Sequence, residues 1–145
     1  MSTHWRPDDS PLEMTKKGQL KGAQKTRAAQ KRFQIRGDKV ITSKDRGVSA
    51  ARRSLRRPGS PDGVRSWQLP IVPGGNSLIF HSELEPGARV PLHAHNCDVF
   101  RVVLKGSLRY GRKLLGPGEW MHVPAGEAYE VQAGPSGCVV MYTHW

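Results

Sequence analysis

The stretch PGARVPLHAHNCDVFRVVLKG, residues 86–106, decides how the second half of the chain is read. Pro86-Gly87 marks a turn, and the run from Val90 to His95 that follows ends in two histidines one residue apart. Side chains on an extended strand alternate between faces. His93 and His95 therefore point the same way, and their imidazoles can converge on one ion or ligand. Val99 to Leu104 forms the next apolar run, and Lys105-Gly106 ends it with another turn. The block GPGEWMHVPAGEAY, residues 116–129, repeats the arrangement: a Gly-Pro-Gly turn, a short run from Trp120 to Val123, and a Pro-Ala-Gly turn.

The same punctuation extends outward from these blocks. Further runs rich in Val, Ile, Leu, Phe and Tyr occupy 68–72, 77–85, 107–110, 128–132 and 138–143. Between them stand Pro73-Gly74-Gly75-Asn76, Glu85-Pro86-Gly87 and Gly134-Pro135. Many short runs separated by Gly/Pro turns predict an all-β antiparallel sandwich or barrel over residues 67–145. No long helical period interrupts them.

Residues 1–66 follow different physics. They hold 17 Lys/Arg against 6 Asp/Glu, whereas residues 67–145 hold six of each, so the whole net charge of +11 sits in the first half. This half is poor in large apolar side chains, and such a segment is expected to stay disordered because it buries too little surface to offset its ordering entropy. The sequence thus divides into a disordered basic extension, 1–66, and a barrel, 67–145, which is expected to keep its stability when the chain is started near Gly63. Leu20–Ile35 can form a basic helix when bound, on a thin apolar stripe. Arg52-Arg53-Ser54-Leu55-Arg56-Arg57 is a second basic patch. One reading makes the extension an arm that contacts nucleic acid weakly and in a salt-sensitive way. The other makes it a solvated tail or an over-long start. Nothing approaches the roughly 20 apolar residues of a membrane span. The absence of an apolar leader run near Met1, and the presence of only two cysteines (Cys97 and Cys138), give a cytoplasmic expectation.

Taken together, Pro86-Gly87, His93-Ala94-His95, Val102 to Gly106 and the Gly116–Tyr129 block resemble the two conserved motifs of the cupin superfamily, in particular its small single-domain, cupin-2-like members. The resemblance covers about residues 68–143. It implies a double-stranded β-helix, the RmlC-like jelly roll, with a small-molecule pocket in the barrel mouth and pairing into homodimers through edge strands. The family's metal site typically takes two histidines and a glutamate from the first motif and one histidine from the second. His93 and His95 match two of these positions. The glutamate position falls on Val99 and the last histidine position on Tyr129.

Substitutes complete the expected set. Tyr129 through its phenol, or Asp98 swung inward by a bulge, joins His93 and His95 around a divalent Fe, Mn, Ni or Zn ion. Cys97 shares parity with the histidines. Arg101, two residues past Val99, shares its inward face and is expected, with His122, to contact the ligand. Each residue has a plainer reading: the histidines line a pocket that has lost its metal, Tyr129 packs its ring, Trp120 lies in the core, and Cys97 is a passive thiol. Catalysis stays open at this point; an enzyme of this pattern is metal-dependent and oxygenase- or isomerase-like. The rival is a non-enzymatic ligand-sensing cupin, and a third reading ties such a barrel to nucleic acid through its basic half.

Overall fold

The computed structural model describes residues 5–74 and 77–145. Met1–His4, and Gly75 and Asn76 of the turn expected after residue 72, lie outside them. Seven strands form one antiparallel system: β1 (Val64–Gln68), β2 (Leu78–Leu84), β3 (Arg89–His93), β4 (Val99–Tyr110), β5 (Lys113–Leu115), β6 (Trp120–Val123) and β7 (Tyr129–His144). The hydrogen-bonded order is β1-β2-β7-β4-β5, with β3 on β7 and β6 on β4. Runs expected as separate strands at 99–104 and 107–110 are one strand, β4, and those at 128–132 and 138–143 are one strand, β7. Gly134-Pro135 lies inside β7 as an irregularity. The first expected run, 68–72, is displaced: β1 ends where it was to begin.

β4 and β7 run along each other from Val99↔His144 to Arg109↔Gln132. The register shifts between Val103 and Lys105 and between Gly106 and Leu108, which lets both strands bend and serve both walls of the barrel. Gly106, at φ +73°, sits at the bend, and a Cβ there would run into the backbone carbonyl of Gly137. Alternation then sets the interior. Leu78, His144, Val99 and Val123 form one inward row across four strands; Gln68, Phe80, Tyr142 and Arg101 form the next.

The disorder expected for 1–66 does not hold for residues 5–66. Two helices, α1 (Lys21–Arg32) and α2 (Val48–Ser54), pack beside β1, with a short 3₁₀ turn at Ser10–Leu12 before them. Leu20 and Ala23 join the main hydrophobic core, while Ala29, Ala51 and Leu55 form a smaller one. Small residues, rather than large ones, dock α1. Gly22 lies so close to Leu78, Gln68 and Pro11 that a side chain has no room. Gln68 Nε2 donates to the Gly22 carbonyl (2.8 Å) and to Thr26 Oγ1, and Gln30 Nε2 donates to the Pro70 carbonyl (3.1 Å). These bonds satisfy buried amides that would otherwise be costly. Arginines fasten the remainder through aromatic faces, Arg52 4.6 Å from the Trp67 centroid and Arg57 4.5 Å from that of Phe80. No helix among the described residues is long and apolar enough to cross a membrane.

The bend makes a specific demand. Gly106→Ala and Gly111→Ala both place a Cβ at positive φ, but only Gly111 has open space around it. Urea unfolding is expected to show a loss of about 1 kcal/mol for Gly111→Ala and at least about twice that for Gly106→Ala. Leu20→Ala is expected to cost about 2–3 kcal/mol if the N-terminal part is packed on the barrel as described, and nothing if it is a solvated tail.

Candidate functional site

The inward rows meet an N-terminal segment at one cavity. β3 delivers His93 through a bulge between Val90 and His93, which turns Leu92 to solvent and His93 inward. His95 follows just past the strand, on the same side; the two ring centroids lie 4.8 Å apart with perpendicular planes. Tyr129, at the start of β7, pairs with His93, centroid to centroid 4.4 Å. Arg101 from β4 donates through Nη2 to the Tyr129 hydroxyl, 3.1 Å, and its guanidinium lies 4.5 Å from the Tyr142 ring centroid. His144, 1% exposed, completes the group 4.8 Å from His95. Thus His93, His95, Tyr129 and Arg101 come together.

Asp98 and His122 do not join them. They bind each other on the outside, Asp98 Oδ2 to His122 Nε2 at 3.3 Å, and Asp98 also accepts the Ala125 N–H at 2.9 Å. That amide bond, with His122 beside it, holds the Asp98 carboxyl below its usual pKa. The reason is alternation: Val99 points inward, so its neighbour Asp98 points out, and no bulge intervenes. His122 pairs with Phe100 and shares its outward face. Trp120 is likewise 60% exposed rather than in the core.

Three participants escaped the sequence reading. His144 ends β7, on the inward parity of Tyr142 and Val140, and only strand register reveals it. Asp9 and Arg57 lie in the half read as disordered. Asp9 sits with both carboxylate oxygens 3.1 Å from His95 Nδ1. Arg57 donates to the Tyr142 hydroxyl, 3.0 Å, and to the Asp8 carbonyl.

Charge inside the cavity is unbalanced. Among the described residues Arg101 has no carboxylate partner, although it is 6% exposed. Burial holds the His93 pKa down at about 4, and the nearby Arg101 charge adds to the effect. Burial lowers His144 further, to about 2, with His95, Arg57 and Arg101 contributing in turn. Both imidazoles are neutral near pH 7. Burial opposes ionisation of Tyr142, yet Arg57 and Arg101 overcome it and lower its pKa. Burial and then the charge of Asp9 push the Cys97 thiol up, so it stays protonated and lies 3.3 Å from His144 Nδ1. His144 Nε2 and Arg101 Nε are buried and have no partner among the described residues. The cavity encloses about 50 Å³ and is lined by Arg57, Arg101, His93, His95, Tyr142 and His144, among others. It has room for roughly three or four water molecules or one small head group.

Among the described residues no three His, Cys, Asp or Glu side chains are grouped to hold a metal ion. In His93 and His95 each Nδ1 is engaged, with the Pro91 carbonyl (2.7 Å) and with Asp9 respectively, which frees each Nε2. Beyond them the fit fails. Val99 has no donor atom, Tyr129 binds Arg101 and Asp98 lies outside. The guanidinium of Arg101 also opposes a divalent cation.

The fold is the cupin jelly roll. Solved structures with this architecture include a chain of the Rhodobacter sphaeroides SigE–anti-sigma ChrR complex (TM-score 0.55, 22% identity, 62% of this chain and 49% of that one). Bacillus subtilis oxalate decarboxylase, studied for its Mn(II) centres, gives 0.54 and 22% over 64% of this chain and 28% of that one. An RmlC-like cupin from Shewanella frigidimarina gives 0.48 and 22% over 57% and 75%. The chain spans about half of the ChrR-complex chain it matches. At such identities the likeness is one of fold. No protein-family model and no curated protein matches the sequence.

The two neutral imidazoles set a pH dependence. Their folded pKa values lie below the 6.5 of an exposed histidine. As pH falls from 6.5 towards 4, the unfolded chain takes up protons that the folded chain refuses, so stability present above pH 6.5 is lost. The slope approaches about 1.4 kcal/mol per pH unit for each imidazole as an upper bound. Urea titrations from pH 7 to pH 4.5 are expected to show this fall, and His144→Gln to flatten it by about half.

Proposed function

We propose that this cupin-fold protein binds a small anionic molecule in its barrel cavity and works as a binder or sensor rather than as a metal-dependent enzyme. The observation that carries the reading is the buried Arg101 guanidinium, whose Nε–H is unpartnered and which has no carboxylate partner among the described residues, with His144 Nε2 likewise unpartnered. A buried donor of this kind is costly unless an acceptor meets it. A carboxylate or similar anion supplies that acceptor to Arg101, and Arg57 also lines the cavity. The free Nε2 atoms of His93 and His95 suit a hydroxyl donor on the same ligand. A cytoplasmic setting accords with two free cysteines, Cys97 and Cys138.

The alternative keeps a divalent ion on His93 and His95, with Tyr129 in reach and an oxygenase- or isomerase-like reaction. Its support is the engaged Nδ1 atoms and the cupin fold. One experiment separates the two. Small carboxylates such as succinate are expected to raise the melting temperature of the wild type. Arg101→Met is expected to abolish that shift while leaving the apo protein as stable or more so, because a buried unpaired cation is removed. Metal analysis is expected to give the same substoichiometric content for wild type and His93→Ala/His95→Ala. One ion per chain, lost in the double variant, overturns the anion reading in favour of the metal.

A second reading concerns the ordered basic layer. α1 exposes Lys21, Lys25, Arg27, Lys31 and Arg32, and of these Lys21 alone has an acidic partner among the described residues, Glu13 at 2.6 Å. Such a face suits the phosphates of a nucleic acid. Fluorescence anisotropy with labelled RNA and DNA at rising salt is expected to show weak, steeply salt-dependent binding, reduced several-fold by Lys25→Glu/Arg32→Glu. Binding indifferent to salt and to this pair removes the reading.

A further inference from the structure

The protein's own N-terminal segment forms part of the cavity's wall. Trp5 lies edge-on to His93 with centroids 4.9 Å apart, and its indole N–H donates to the Gly59 carbonyl at 3.1 Å. The Asp9 carboxylate faces His95 Nδ1 with both oxygens, and the Asp8 carbonyl accepts from Arg57. Trp5, Pro7 and Asp8 are part of the cavity wall. The segment thus presents a carboxylate and a carbonyl to an imidazole and a guanidinium that border the anion cavity.

These contacts differ in kind from those that anchor the rest of the N-terminal half. α1 is seated by buried amide bonds and core residues. Residues 5–9 belong to no helix or strand, Arg6 is exposed and the others half-buried; polar contacts with the cavity rim and the half-buried Trp5, which packs against the core and edge-on to His93, hold them. Asp9 is 36% exposed at its side chain while its partner His95 is 5% exposed, so the carboxylate reaches in from the solvent side. Elements with few buried apolar contacts open at low free-energy cost.

We infer that residues 5–9 are a strap that walls the cavity with Trp5, Pro7 and Asp8, is tethered through Asp9 to His95 Nδ1, and is displaced when an anionic ligand enters. The inference rests on the anion reading above and specifies its regulation. Apparent affinity is the intrinsic affinity reduced by the fraction of molecules with the strap open. Loosening the strap therefore tightens binding, and ligand loosens the strap.

Succinate titration by calorimetry and by NMR of the tryptophan indole N–H signals tests this on the full chain. Trp5→Ala changes no charge and is expected to tighten succinate binding about three- to tenfold, in line with the strength of an aromatic edge contact. Asp9→Asn is expected to tighten it as well, and by more than Asp8→Asn, whose side chain caps Ser10 and does not face His95. In the wild type, saturating succinate is expected to shift the Trp5 indole signal and speed its hydrogen exchange. Equal affinity in wild type, Trp5→Ala and Asp9→Asn, or a Trp5 signal unmoved by ligand, overturns the strap. Weaker binding in Trp5→Ala also overturns it, because that marks a lid that closes over the ligand. Binding that Arg101→Met abolishes but the strap variants leave unchanged spares the anion reading and removes the strap alone. No binding of succinate to any of these proteins overturns both.

Discussion

A guanidinium buried in a barrel of valines and tyrosines organises this molecule. Arg101 stands on the inward row with Phe80 and Tyr142, where alternation on a strand would ordinarily place an apolar residue. Taking such a charge out of water is expensive, and the surroundings are arranged to limit the cost. Tyr129 gives its hydroxyl oxygen, Tyr142 its ring face, and the nearby imidazoles of His93 and His144 stay neutral. Arg57, from the N-terminal half, approaches the same Tyr142 from its hydroxyl end. A second cation beside the first supports the proposed anion reading.

The N-terminal half is thereby part of the site. α1 and α2 place Arg57 and the segment around Trp5 and Asp9 against the open side of the barrel. The shared fold says little about chemistry, since function belongs to particular side chains grafted onto it. Here valine occupies the position of an expected carboxylate ligand, and an arginine two residues on shares its inward face. Both residues support the proposed anion reading over the metal one.

The barrel was legible because its signals are local: Gly/Pro turns, apolar runs of strand length and paired histidines on one face. Parity also placed Arg101 correctly on the inner face with Val99. The rest depended on pairing between distant residues. Whether β7 runs unbroken through Gly134-Pro135 is decided by β4 beside it, and His144 enters the site only through that register. Asp98 and His122 attract attention by residue type, yet their parity sends them outside. The N-terminal half misled for another reason. Criteria for disorder count large apolar side chains, whereas α1 docks through Gly22, Ala23 and Thr26, where the absence of bulk is what permits close approach. Asp9 carries no pattern at all.

The strand that knits both walls, β7, is the last of the seven in sequence order, and its partners β2, β3 and β4 all precede it. During synthesis the emerging chain therefore presents Leu78, Phe80 and Val99 on half-built ribbons, each with one edge unpaired, until Tyr129–His144 is made. Closure is a late and non-local event, which makes folding slow and leaves open edges vulnerable to association in the interval.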